Sequence, residues 1–102
     1  MLECSVIILN WNGEAMLRRY LPSVIQYTQL EGVEIVVADN GSTDASLEFL
    51  HSQPVRIIEL GENLGFAEGY NRAIEQVESK YVVLLNSDVE VTPNWIQPML
   101  TY

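Results

Sequence analysis

Ser5-Val6-Ile7-Ile8-Leu9 runs directly into Asn10-Trp11-Asn12-Gly13. A short uncharged run of Val, Ile and Leu, closed by two amides and a glycine, reads as a strand covered on both faces that ends in a polar loop. The pattern returns at Glu34 to Ala38, followed by Asp39-Asn40-Gly41-Ser42, and at Tyr81 to Leu85, followed by Asn86-Ser87-Asp88-Val89-Glu90. A further run, Val55 to Leu60, precedes Gly61-Glu62-Asn63-Leu64-Gly65. It contains Arg56 and Glu59, which a strand buried on both faces would not tolerate, so it suits an edge of the sheet.

Helical patterns separate these runs. Met16, Leu17, Tyr20, Leu21, Val24 and Ile25 recur on one face, which predicts an amphipathic helix from about Glu14 to Tyr27, kinked at Pro22. Ser42 or Thr43 is suited to cap a short helix whose inner face carries Leu47 and Leu50, with His51 at its end. Phe66, Tyr70, Ala73, Ile74 and Val77 mark a third helix, and Thr92 followed by Pro93 signals the start of a last one. Strands alternating with helices imply an α/β fold, a Rossmann-like parallel sheet of about four strands flanked by helices, joined by right-handed crossovers.

Composition narrows the partners. The chain has 102 residues, 48% of them hydrophobic, enough for one core. Its formal net charge of −9, with only five Lys and Arg, repels a polyanion, so no nucleic acid is expected to bind. A small diphosphate is compatible with this charge if a divalent cation lies between the two sets of negative groups. No apolar stretch approaches the ~18 residues of a membrane span, and no basic region precedes a long apolar segment. The expected compartment is cytoplasmic, with membrane association open for a longer protein. Cys4, the single cysteine, reads as a small packing residue, and His51, the single histidine, receives no catalytic role.

In an open α/β sheet, ligands bind at the carboxyl ends of the strands, where loops and helix starts converge. All four such ends here carry hydrogen-bonding groups or glycine. Turn formation alone accounts for many of these residues. It does not call for Trp11 between two amides, nor for Asp88 and Glu90 two apart after a strand. In an extended segment such a pair projects to one side and can reach one hard cation. Neither G-x-x-x-x-G-K-[ST] nor G-x-G-x-x-G occurs, which argues against P-loop enzymes and dehydrogenases.

Taken in order, Ser5 to Gly13, Val36 to Asp44, Asn63 to Asn71 and Leu84 to Glu90 resemble family 2 glycosyltransferases of the GT-A fold, rhamnosyltransferase-like members above all. The resemblance implies an inverting enzyme that uses a nucleoside-diphosphate sugar (UDP-, dTDP- or GDP-linked) and Mg²⁺ or Mn²⁺, with a glycan or lipid-linked acceptor in the full-length protein. It also suggests a role in cell-surface polysaccharide biosynthesis. Carried over by position, Asn10, Trp11 and Asn12 would line the base pocket, with Asp39 accepting hydrogen bonds from the base or ribose and Asn40 beside it. Asp88 and Glu90 match the D-x-D element, Asp88 toward ribose, sugar and metal, Glu90 toward the metal. Arg72 would contact phosphate, the other reading being an ion pair with Glu68, Glu75 or Glu78. The family often has two acids where this chain has Asp39-Asn40, and its last D-x-D position is Glu90 here, a carboxylate on a longer stem.

The general base and acceptor pocket of the family lie beyond the D-x-D segment. Residues 1–102 are therefore expected to form the nucleotide-diphospho-sugar-binding half of a glycosyltransferase domain, a truncated GT-A fold inactive by itself that self-associates through an unpaired sheet edge. A nucleotidyltransferase of related fold would need a cation-bearing glycine-rich loop after the first strand, and Asn10 to Gly13 has none. A non-catalytic nucleotide-binding or signalling α/β module would need acids after the first strand and a late Lys, and Lys80 precedes the last strand instead.

Overall fold

The computed structural model describes residues 2–100. Strands β1 (Leu2–Asn10), β2 (Val33–Asp39), β3 (Arg56–Glu59) and β4 (Ser79–Leu85) alternate with helices α1 (Glu14–Gln26), α2 (Ser46–His51), α3 (Phe66–Glu75) and α4 (Gln97–Leu100). The strands form one sheet in the order β3-β2-β1-β4, every pairing parallel. β3, the run with the internal charges, lies at an edge as its composition predicts, and β4 forms the other edge.

Alternation along β1 divides the core. Ile8 faces Leu17, Leu21 and Val24 of α1 and Leu50 of α2, together with Ile35 and Val37 of β2. Ile7 faces the opposite layer, with Val36, Ala38 and Ile58 from the sheet and Tyr70 and Ala73 from α3. Residues such as Ile7 and Val36 are fully buried, and each such side chain contributes roughly 1.5–3 kcal/mol of transfer free energy. A third cluster joins Cys4 and Val6 to Ile96, with Trp95 and Leu100 against it. Cys4 is thus a packing residue, and burial, reinforced by Glu3, raises its thiol pKa.

Because α1 and α3 cover opposite faces, the chain reverses its direction of winding between β1 and β4. That is the topological switch point at which the ends of neighbouring strands diverge.

Helix α1 runs from Glu14 to Gln26 with Pro22 inside it, close to the bounds its periodicity predicts. The helix starts depart from expectation in two places. Neither Ser42 nor Thr43 caps α2, which begins at Ser46, preceded by Ala45. Asp44 takes that role through its Oδ1, which accepts the Ser46 N–H at 2.9 Å. The last helix starts at Gln97 rather than after Thr92, because Trp95 and Ile96 are drawn into the core and Trp95 Nε1 donates to Thr28 Oγ1 at 3.0 Å. Asn94, with φ of 61°, provides the reversal that this docking needs.

Candidate functional site

Asn10 and Asp39 are the last residues of their strands and stand opposite one another in the β1/β2 register. Asn10 Nδ2 donates to Asp39 Oδ1 at 3.0 Å, and the Ser42 hydroxyl donates to the same oxygen at 2.7 Å. The Ser42 backbone N–H donates to Asp39 Oδ2 at 2.9 Å, three residues on, closing the turn that leaves β2. Asn10 and Asp39 are both buried. Both Asp39 oxygens therefore serve internal donors, which differs from the expectation of a carboxylate presented to base or ribose.

One step further out, the loops after β1 and β2 are tied by Asn12. Its Oδ1 accepts the N–H groups of Thr43 at 2.6 Å and Asp44 at 3.2 Å, while its own N–H donates to Ser42 Oγ at 2.9 Å. Asn12 adopts φ of 48°, a left-handed conformation that Asn tolerates better than most residues. Asp44 Oδ2 accepts the Glu14 N–H at 3.1 Å, which joins the start of α1 to the same knot. Desolvation is the largest single influence on the Asp44 carboxyl and raises its pKa, but the hydrogen bonds from Ser46 and from the Glu14 backbone together outweigh it and hold the carboxyl below its ordinary pKa. Trp11 stands clear of this network, 54% exposed on the rim.

Asn40 points the other way. Its Oδ1 accepts the Leu64 N–H at 3.0 Å, and its Nδ2 donates to Asn63 Oδ1 at 3.2 Å and to the Gly65 carbonyl at 3.1 Å. The side chain is buried, and it braces the loop between β3 and α3 rather than facing a ligand as expected.

Across β1, at the switch point, a hollow of about 360 Å³ is lined by Leu9, Met16, Phe66, Tyr70, Asn86, Ser87 and Asp88. β4 ends at Leu85, and Ser87 and Asp88 form a turn, so the acidic triplet does not simply extend the strand as predicted. Alternation nevertheless survives: Asp88 and Glu90 are exposed, while Val89 packs against the core. Neither carboxylate has an ion-pair partner among the described residues. Among those residues no cluster of three or more metal-binding side chains occurs, so the chain offers this acidic pair and no complete cage.

Arg72 is not brought to this rim. It lies in the last turn of α3, which runs from the carboxyl end of the sheet back to the amino end, about 9 Å along the axis from Phe66. Arg72 is exposed, and no ion pair with Glu68, Glu75 or Glu78 forms. A larger hollow of about 520 Å³, lined by Leu2, Glu34, Arg56, Gln76 and Glu78, lies at that opposite end, away from the loops after the strands.

Ser42, Asp44, Asn63 and Tyr70 complete the site's framework and were not singled out as functional from the sequence. For Ser42, Asp44 and Asn63, their place in polar loops is the available signal. Tyr70 reads only as a core position of a helix.

The fold and the polar rim together define an open α/β domain with hydrogen-bonding loops gathered at the carboxyl end of its sheet, and comparison with known proteins assigns its family. Residues 5–102 match Glycosyl transferase family 2, and the chain belongs to that family. An uncharacterized glycosyltransferase of Haemophilus influenzae is 32% identical over 103 residues, covering 96% of this chain and 32% of the relative. The structure of S. aureus TarS 1–349 in complex with UDP-GlcNAc superposes with a TM-score of 0.85 at 23% identity, over 98% of this chain and 30% of that one. The mannosyltransferase PcManGT from Pyrobaculum calidifontis, in complex with GDP-Man and Mn²⁺, superposes with a TM-score of 0.75 at 22% identity, covering 86% of this chain and 28% of that one. The chain spans less than half of the length of the curated relatives it matches, 32% in the Haemophilus influenzae protein above. The α/β architecture is that of the GT-A glycosyltransferases.

Proposed function

We propose that this domain binds the nucleoside-diphosphate sugar of an inverting glycosyltransferase along the carboxyl rim of its sheet. The observation that carries this reading is convergence. The Asn10–Asp39–Ser42 network and the Asp88 hollow flank the end of β1 at the same end of the sheet, in a chain of this family.

Within that reading, Trp11 offers an exposed ring on which a base stacks, and Asn12 holds the adjoining loop in place. Asn10 and Asp39 form the floor beneath them. Asp88 and Glu90 suit Mg²⁺ or Mn²⁺ because both are hard oxygen donors without an ion-pair partner among the described residues, and the remaining coordination positions fall to diphosphate oxygens and water. Bound there, such a cation neutralises charge on the departing diphosphate. The complex of PcManGT with GDP-Man and Mn²⁺ supports the pairing of nucleotide sugar and cation. The acceptor, a glycan or a lipid-linked sugar, and the general base belong to other parts of a longer protein. Such a protein works on the cytoplasmic side in surface polysaccharide assembly.

β4 leaves one edge of the sheet unpaired, with Tyr81 and Leu84 exposed, and a second copy of the chain can add to it there. Light scattering that shows only monomer at high concentration overturns that part. The donor reading is tested by calorimetric titration with UDP, dTDP, GDP and their sugars, with and without Mn²⁺. Micromolar to millimolar binding that strengthens with Mn²⁺ is expected, and a folded sample that binds none of them refutes it.

A further inference from the structure

The β1/β2 ladder runs to the Asn10–Asp39 pair, but the β1/β4 ladder stops at Ile8 and Leu85. Beyond that point β1 and β4 separate, and the hollow containing Asp88 opens between them. Tyr70 stands at the fork. Its hydroxyl donates to the Leu85 carbonyl at 3.1 Å, and its ring is buried against the sheet.

Three features hold Tyr70 there. Gly69 lets α3 approach β1, since a Cβ at that position would lie 2.9 Å from Leu9 Cδ1. The Phe66 ring packs edge-on against the Tyr70 ring at a centroid distance of 5.0 Å. Burial raises the phenol's pKa, with a smaller opposing pull from the Leu9 backbone, so the hydroxyl keeps its proton and remains a donor at neutral pH.

Leu85 is the last residue of β4, and Asn86-Ser87-Asp88 follow it directly. Leu85 pairs with Ile8 at the last rung of the β1/β4 ladder, and its carbonyl also accepts the Tyr70 hydroxyl from the opposite layer. That additional bond clamps the point at which the chain leaves the sheet. We propose that Tyr70 is a positioning residue for the cation-binding half of the donor site, acting through the Leu85 carbonyl to fix where Asp88 enters the cleft. Residues that orient a metal ligand typically change metal affinity by about 10–100-fold when lost. The proposal rests on the donor-site reading for its ligand effects and not for its structural ones.

The test uses Tyr70→Phe, which keeps the ring and removes the hydrogen bond, with Tyr81→Phe as an exposed control. In the ligand-free chain, amide NMR signals of Asn86, Ser87 and Asp88 shift in Tyr70→Phe and not in the control, while those of the Asn12–Ser42 loops stay in place. In titrations with UDP, the affinity gained on adding Mn²⁺ falls about tenfold in Tyr70→Phe, and metal-free affinity is unchanged. Unshifted Asn86 to Asp88 signals, or an equal loss of affinity with and without Mn²⁺, overturn the proposal by reducing Tyr70 to a packing residue. If the unaltered chain binds no nucleotide, the donor reading fails, and the NMR comparison alone decides whether Tyr70 sets the turn.

Discussion

The Asn10 side-chain amide donates to the Asp39 carboxylate across 3.0 Å, joining the last residues of two adjacent parallel strands. Because Ser42 donates twice to the same carboxylate, the rim between β1 and β2 is formed before any ligand arrives. Removing the acceptor should then cost stability as well as binding. Asp39→Ala leaves buried donors of Asn10 and Ser42 unsatisfied, and a loss of roughly 3 kcal/mol in urea unfolding is expected. A loss below about 0.5 kcal/mol would show that the network does not hold the rim.

Trp11 presents the opposite case. It is more than half exposed and takes no part in the network. Trp11→Ala should leave unfolding free energy within about 0.5 kcal/mol of the parent. Nucleoside diphosphate affinity should fall about tenfold, the range expected when one base loses its aromatic partner. Undiminished affinity by calorimetry would move the base elsewhere.

Asp88→Ala and Glu90→Ala should likewise be tolerated by the fold, since neither carboxylate supports an ion pair among the described residues. Each is expected to abolish most of the gain in nucleotide affinity produced by Mn²⁺ while sparing metal-free binding. Paramagnetic broadening by Mn²⁺ gives an independent measure, and broadening centred away from residues 86–90 would contradict the assignment.

Gly41 turns the chain out of β2 with φ of +82°, and a Cβ there would lie 2.7 Å from Glu62 Cα. The contact is with backbone, so no rotamer change relieves it. Gly41→Ala should destabilise the chain by at least about 2 kcal/mol, combining left-handed strain with displacement of the β3–α3 loop. A thermal midpoint unchanged from the parent would be incompatible with this close approach.

The pH dependence of stability carries a sign. The Tyr70 phenol has a folded pKa above its ordinary value of 10.0, with burial the main cause. Its contribution is complete below pH 10 and is lost as pH rises from there through the folded pKa, because the unfolded chain releases this proton first. Urea unfolding of the parent should therefore weaken above pH 10 more steeply than that of Tyr70→Phe. Parallel curves would mean that the phenol ionises freely in the folded chain.

Much of the architecture was legible because strand and helix periodicities are local. Unbroken apolar runs marked β1, β2 and β4, and Arg56 and Glu59 marked β3 as an edge. The helix starts were read less well. Ser42 looked like a cap, yet Asp39 and Asn12 compete for it across the loop, and Asp44 takes the capping role instead. Thr92-Pro93 looked like a helix start, yet burial of Ile96 and the Trp95–Thr28 bond outweigh that local preference.

For the site, residue type and order along the chain were sufficient to place Asn10, Trp11, Asn12, Asp39 and Asp88 at one end of a parallel sheet, since a strand's direction determines where its loop emerges. Which of them face inward was decided by tertiary structure alone. Hydrogen-bond partners some thirty residues apart in sequence turn Asn10 and Asp39 into a buried floor, while Asn40 braces a neighbouring loop. The direction of α3 takes Arg72 away from the rim, and the fork between β1 and β4 gives Tyr70 a partner that no local pattern encodes. Periodicity records which face of an element is apolar. The partner of a polar side chain depends on which strands become neighbours, and that is settled only when the whole sheet assembles.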